Sequence, residues 1–151
     1  MKFPDKIKFK IVDKDSKDPV QDVAVALILY AQKKNNYYVG PKISNSDGEF
    51  CFTADDCREQ IKISQEMYIM DYQSNLDDCQ PKVSIEILPP ENIKFIMDNL
   101  EKNKDMWQKK SFYDDNYISS LKTVKNSQAK NIIIDYQEAD LYKSDTLQIE
   151  V

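Results

Sequence analysis

The side chains able to do chemistry in this 151-residue chain are carboxylates, lysines, tyrosines and three cysteines, because there is no histidine. That absence excludes Ser-His-Asp and Cys-His nucleophile pairs, the H-E-x-x-H motif and His-rich catalytic zinc sites. Asp55-Asp56 and Asp77-Asp78 offer the residue type that glycoside hydrolysis uses. That reaction needs two carboxyls roughly 5–9.5 Å apart across a cleft, whereas acid pairs in loops are ordinary turn formers. Asp13, Asp15 and Asp18 share part of a calcium-loop spacing, but an EF-hand wants Gly sixth and Glu twelfth, where this chain has Asp18 and Ala24. Cys51 has no base to activate it. Cys57 and Cys79 each follow an Asp-Asp pair, so a bridge between them is conceivable, although three cysteines without C-x-x-C otherwise read as reduced thiols. Gly40 and Gly48 are too few glycines for a P-loop or a dinucleotide fingerprint. The expectation is a non-enzymatic chain with no catalytic residue, no metal and no cofactor.

What remains is binding. The chain has 26 acids against 21 cations, a net charge of −5, and Arg58 as its one arginine. Bidentate phosphate and base-edge contacts favour Arg, so nucleic acid is a poor partner, and the field favours a cationic protein. The run from Asp135 to Glu150 carries five acids and Lys143 as its one cation. It offers a docking surface as Glu138 and Asp140, to which the loop acids Asp77 and Asp78 add charge. Interface anchors are commonly aromatic, which nominates Trp107, Tyr113 and Tyr117. Reversing the four acids is expected to slow association and leave stability nearly unchanged. Sugar stacking is the competing use of aromatics, with Tyr37, Tyr38, Tyr113 and Tyr117 as candidates.

These residues need a frame. Lys6 to Val12 alternates, with Ile7, Phe9 and Ile11 on one face, the mark of a half-buried strand. Val23 to Tyr30 is apolar on both faces, so it needs cover on both. Asn45-Ser46-Asp47-Gly48 between two extended runs predicts a hairpin. Residues 54–60 predict one helical turn with Thr53 as N-cap, followed by extended runs over 61–64 and 67–72. Val83, Ile85 and Ile87 alternate up to Pro89-Pro90. The period then changes: Ile93, Ile96, Met97 and Leu100 make an amphipathic helix, and Tyr113, Tyr117, Leu121 and Val124 outline a second. Residues 132–134 and 147–151 read as closing strands. The chain is thus one domain, 1–151, with a β core over 6–88, a helical segment over 91–125 and closing strands over 132–151. Helices are expected mostly within 91–125, and a long helix within 6–88 would contradict this layout. The 93–100 stripe is expected to cover the outer face of the Val23–Tyr30 strand, with Leu100 buried there and Leu100→Ala costing roughly 2–5 kcal/mol.

The run Pro19-Val20-Gln21-Asp22-Val23-Ala24-Val25-Ala26-Leu27, followed by Ser44-Asn45-Ser46-Asp47-Gly48-Glu49-Phe50-Cys51-Phe52, resembles the prealbumin-like sandwich modules, such as carboxypeptidase regulatory-like and Cna B-type domains. The resemblance spans residues 6–88. It implies a mainly β, Greek-key prealbumin-like β-sandwich, here with an α-helical C-terminal segment packed on it, α+β overall. Asp18 replaces the usual glycine before the Pro-Val run, the isopeptide-forming pattern is not recognisable, and the segment from Pro90 onward has no counterpart. Such sandwiches serve as stalks, sugar binders, carriers and protein-binding modules, so the fold does not select a function. The preferred reading is a bacterial immunity- or inhibitor-type protein that neutralises a cationic enzyme or toxin. The alternative is a carbohydrate-binding or cell-surface accessory module, with a carboxylate-dependent hydrolase third. No apolar run reaches the ~18–20 residues of a membrane span. No hydrophobic signal core follows Met1, which favours the cytoplasm, or the periplasm if a signal has been trimmed.

Overall fold

The structure is a computed structural model that describes residues 1–31, 36–68, 75–107, 119, 121–122 and 131–151. Among the described residues, seven strands form two sheets: β1 (Lys6–Val12), β2 (Ala24–Tyr30), β3 (Asn36–Ile43), β4 (Glu49–Thr53), β5 (Lys82–Ile87), β6 (Ile132–Gln137) and β7 (Thr146–Glu150). One sheet has the order β4-β1-β7, the other β3-β2-β5-β6. All pairings are antiparallel except β1 with β7. With helices α1 (Ala54–Tyr68), α2 (Pro90–Lys102) and α3 (Lys104–Trp107), the architecture is a mostly β, α+β fold.

The alternation of β1 works as its sequence requires. Ile7, Phe9 and Ile11 point into one core that β2, β3 and β5 line from the other sheet with Val25, Leu27, Leu29, Tyr37, Val39, Val83, Ile85 and Ile87. Phe9 stacks on Phe50 with centroids 5.2 Å apart and meets Tyr136 of the opposite sheet edge-on at 6.0 Å. Such pairs add to plain area burial and fix the sheets against each other.

The second face of β2 is covered as the sequence demanded. Ala24 and Ala26 pack with Leu88 and Ile93, and Ile96 and Met97 lie against them. Small alanines let the helix approach the sheet closely, and α2 starts where Pro89 and Pro90 favour helix entry. Leu100 differs from expectation: it is half-buried and lies outside this cluster, because the contact is made by the first two turns of α2.

Two further expectations are corrected. Asn45-Ser46-Asp47-Gly48 is a tight turn, with the Gly48 N–H donating to the Asn45 carbonyl at 2.9 Å, but it is not a hairpin. β3 pairs with β2 and β4 pairs with β1, so the turn carries the chain from one sheet to the other. Gly48 has φ +73°, and a Cβ there would run into the Ile11 carbonyl, so only glycine fits. Asp-Gly reports that local geometry and says nothing about where the flanking strands pair.

The second correction is α1, a 15-residue helix inside 6–88, where no long helix was expected. Thr53 Oγ1 accepts from the Asp56 N–H at 3.0 Å and the Asp56 carboxylate accepts from the Thr53 N–H at 3.1 Å, a reciprocal cap that commits the chain to helix. Of the buried positions, Ala54, Cys57, Gln60, Ile61 and Ser64 follow helical spacing, and Ile63 is buried beside them. Polar Gln60 and Ser64 hide that stripe, which leaves Ile61-Lys62-Ile63 looking like strand alternation. The strand expected over 61–64 is therefore helix, as is 67–68, while 69–72 lie outside the described residues. The helix packs on β3, β4 and the turn at 76–78 without displacing a strand from either sheet.

Candidate partner-binding surface

Two short 3₁₀ elements carry the four candidate acids. Leu76–Asp78 is pinned by buried Leu76 and capped by Asn75, whose Oδ1 accepts from the Asp78 N–H at 3.2 Å. This leaves Asp77 and Asp78 exposed. Glu138–Tyr142 is pinned by buried Leu141, and the Asp140 carboxylate accepts from the Gln137 N–H at 2.9 Å and from Lys143 Nζ at 2.9 Å. Those donors hold the Asp140 carboxyl below the usual carboxylate range, Lys143 foremost.

The N-terminal residues join the two elements. The Met1 amine donates to the carbonyls of Asp77 and Cys79, the Lys2 N–H donates to Glu138 Oε1 at 3.1 Å, and the Tyr142 hydroxyl donates to the Lys2 carbonyl at 2.8 Å. The Glu138 N–H donates to the Pro81 carbonyl at 3.0 Å, closing the ring of contacts. Two acid-bearing elements some sixty residues apart in sequence are thus joined through one short segment. Tyr142, which sequence reasoning did not single out, stands beside Glu138 and Asp5 with half its surface exposed. Its phenol is raised by desolvation, then by the Glu138 and Asp5 carboxylates beside it. Its only signal in the sequence was its position inside the acidic run 135–150.

The other candidates fall differently. Trp107 ends α3, and Tyr113 and Tyr117 lie outside the described residues. Tyr37 is 1% exposed and belongs to the core, so it is no stacking platform, whereas Tyr38 is 55% exposed. The strand period explains both, since adjacent residues of β3 face opposite ways.

Three carboxylates of the sequence motifs, Asp13, Asp55 and Asp56, are engaged locally. Asp56 caps α1 and pairs with Lys42 at 3.1 Å, and Asp55 pairs with Arg58 at 3.2 Å. The Asp13 carboxylate accepts from the N–H groups of Asp15 and Ser16, each at 2.9 Å, an Asx-type turn that lowers its pKa. Among the described residues no group of three or more Cys, Asp or Glu could hold a metal ion, and no helix is long and apolar enough to cross a membrane. Cys57 and Cys79 are buried free thiols, both pushed up by desolvation first, and no bridge joins them.

No family model and no curated protein matches the chain. Among solved structures, a 9R-lipoxygenase from Cyanothece aligns over 97% of this chain at 7% identity, with a TM-score of 0.36. This chain spans 16% of that protein's length. A likeness of that size carries no argument about fold or function.

Proposed function

We propose that this chain is a non-enzymatic protein-binding module of the immunity or inhibitor type, docking a cationic partner through the end of the molecule where residues 1–2 meet the two 3₁₀ elements. The observation that carries the reading is that residues 1–2 join the two elements that carry Asp77, Asp78, Glu138 and Asp140, with Tyr142 half exposed beside Glu138. Rim carboxylates steer a basic partner, and a tyrosine held by its own hydroxyl offers contact area at small rotamer cost. We further infer a Greek-key prealbumin-like framework. In its support, the chain leaves β1 for the opposite sheet, forms β2 and β3 there, and returns to lay β4 against β1, while Pro19 of the Pro-Val run bridges to Val12.

The test is capture from the source cells with the wild-type chain and with Asp77→Asn/Asp78→Asn/Glu138→Gln/Asp140→Asn, which keeps the capping acceptors and removes the charge. The reading expects one basic protein to be retained by the wild type at low salt and lost from the variant. A partner retained equally by both would contradict the acidic surface. Saturable oligosaccharide binding that is lost in Tyr38→Ala, with no protein retained, would favour the carbohydrate-binding module instead.

A further inference from the structure

Cys57 and Cys79 take no part in the acidic surface, yet both are buried, at 0% and 1% exposure, within one core cluster. Cys57 lies on the buried stripe of α1, one turn after its capped start. Cys79 closes the 3₁₀ turn against which α1 packs, and its Sγ is 3.6 Å from the Asn75 carbonyl, to which it donates. Cys51 is set apart from them, half-buried on β4 opposite Lys8.

We propose that Cys57 and Cys79 are an oxidisable pair, which a disulfide oxidant such as oxidised glutathione joins into a bond tying α1 to the 75–79 turn. One cysteine thiolate attacks a sulfur of oxidised glutathione and expels a glutathione thiolate, which takes up a proton. The second cysteine loses its proton, attacks the mixed disulfide and expels the second glutathione. Two electrons and two hydrogens pass from the protein to the oxidant, yielding one protein disulfide and two glutathione thiols. Burial disfavours both thiolates, so exchange is slow in the closed protein and proceeds as the chain folds or as this region opens. The bond closes the loop from 57 to 79 and constrains the unfolded chain.

The experiment exposes native protein, and protein refolding from urea, to a glutathione redox buffer, blocks the remaining thiols and maps peptides without reduction. The expected result is a Cys57–Cys79 linked peptide, an intact mass lower by two hydrogens, Cys51 alkylated, and a Tm that rises and falls back on adding dithiothreitol. The rise should survive Cys51→Ser and vanish in Cys57→Ala or Cys79→Ala. The proposal is overturned if neither preparation yields the 57–79 link, if Cys51 pairs with either residue, or if Cys57 and Cys79 each carry a separate glutathione. The wild-type map decides even where a variant fails to fold.

Discussion

Asp140 is both a surface charge and a structural acceptor, and its two roles separate by pH. Its carboxyl is held down by Lys143 and by the Gln137 N–H. A folded-state pKa below the unfolded one contributes stability above the unfolded value, near 4 for Asp, and that contribution is lost as pH falls through the folded one. Asp13 behaves the same way through the N–H groups of Ser16 and Asp15. Urea midpoints measured from pH 7 down to pH 2 should therefore fall in the acid limb. Asp140→Asn, which keeps an acceptor but cannot titrate, should show a shallower fall than the wild type. An identical acid limb in both would mean that the Gln137 and Lys143 contacts do not favour the charged form. The same contacts revise what charge reversal does: Asp78 and Asp140 cap their own turns and Glu138 holds the Lys2 N–H. Reversal would cost stability as well as charge, and amide variants are the cleaner probe.

At the scale of elements, α1 and α2 depend on different physics. Thr53→Ala removes the acceptor for the Asp56 N–H and should cost about 1 kcal/mol in urea denaturation, the usual loss for a side-chain cap. Ile93 is 7% exposed against Ala24 and Ala26, so Ile93→Ala should cost roughly 2–5 kcal/mol. Leu100→Ala should cost less, since Leu100 is half-buried. Equal losses at 93 and 100 would put the α2 contact further along the helix than the structure has it. These elements also mark what was legible in the sequence. β1, β5 and α2 were readable because their apolar residues repeat at one period, and β2 because its apolar run is unbroken. α1 was not, because Gln60 and Ser64 occupy its buried stripe and Ile61-Lys62-Ile63 mimics a strand. The 45–48 turn was readable as a turn, but its sheet change depends on long-range pairing that Asp-Gly does not encode. The acids 77, 78, 138 and 140 were nominated by charge alone. The joining of their two elements was not readable, because it depends on backbone contacts of Met1, Lys2 and Pro81, which have no side-chain signature.

For the whole molecule, two sheets share one core and two 3₁₀ elements are clamped together by residues 1–2, with Asp77 and Asp78 exposed and Glu138 and Asp140 half-buried. That arrangement suits a protein whose partner arrives by long-range attraction and is held by short-range contact with an aromatic side chain. Tyr142→Ala should therefore speed dissociation of the captured partner by at least about tenfold, as loss of an interface anchor does, while leaving association nearly unchanged. The central claim is the acidic docking surface, and the association rate of that partner across a salt series tests it most directly. At low salt the rate should drop about tenfold or more in Asp77→Asn/Asp78→Asn/Glu138→Gln/Asp140→Asn, with the difference closing as salt screens the field. An association rate equal to wild type at every salt concentration would contradict the claim.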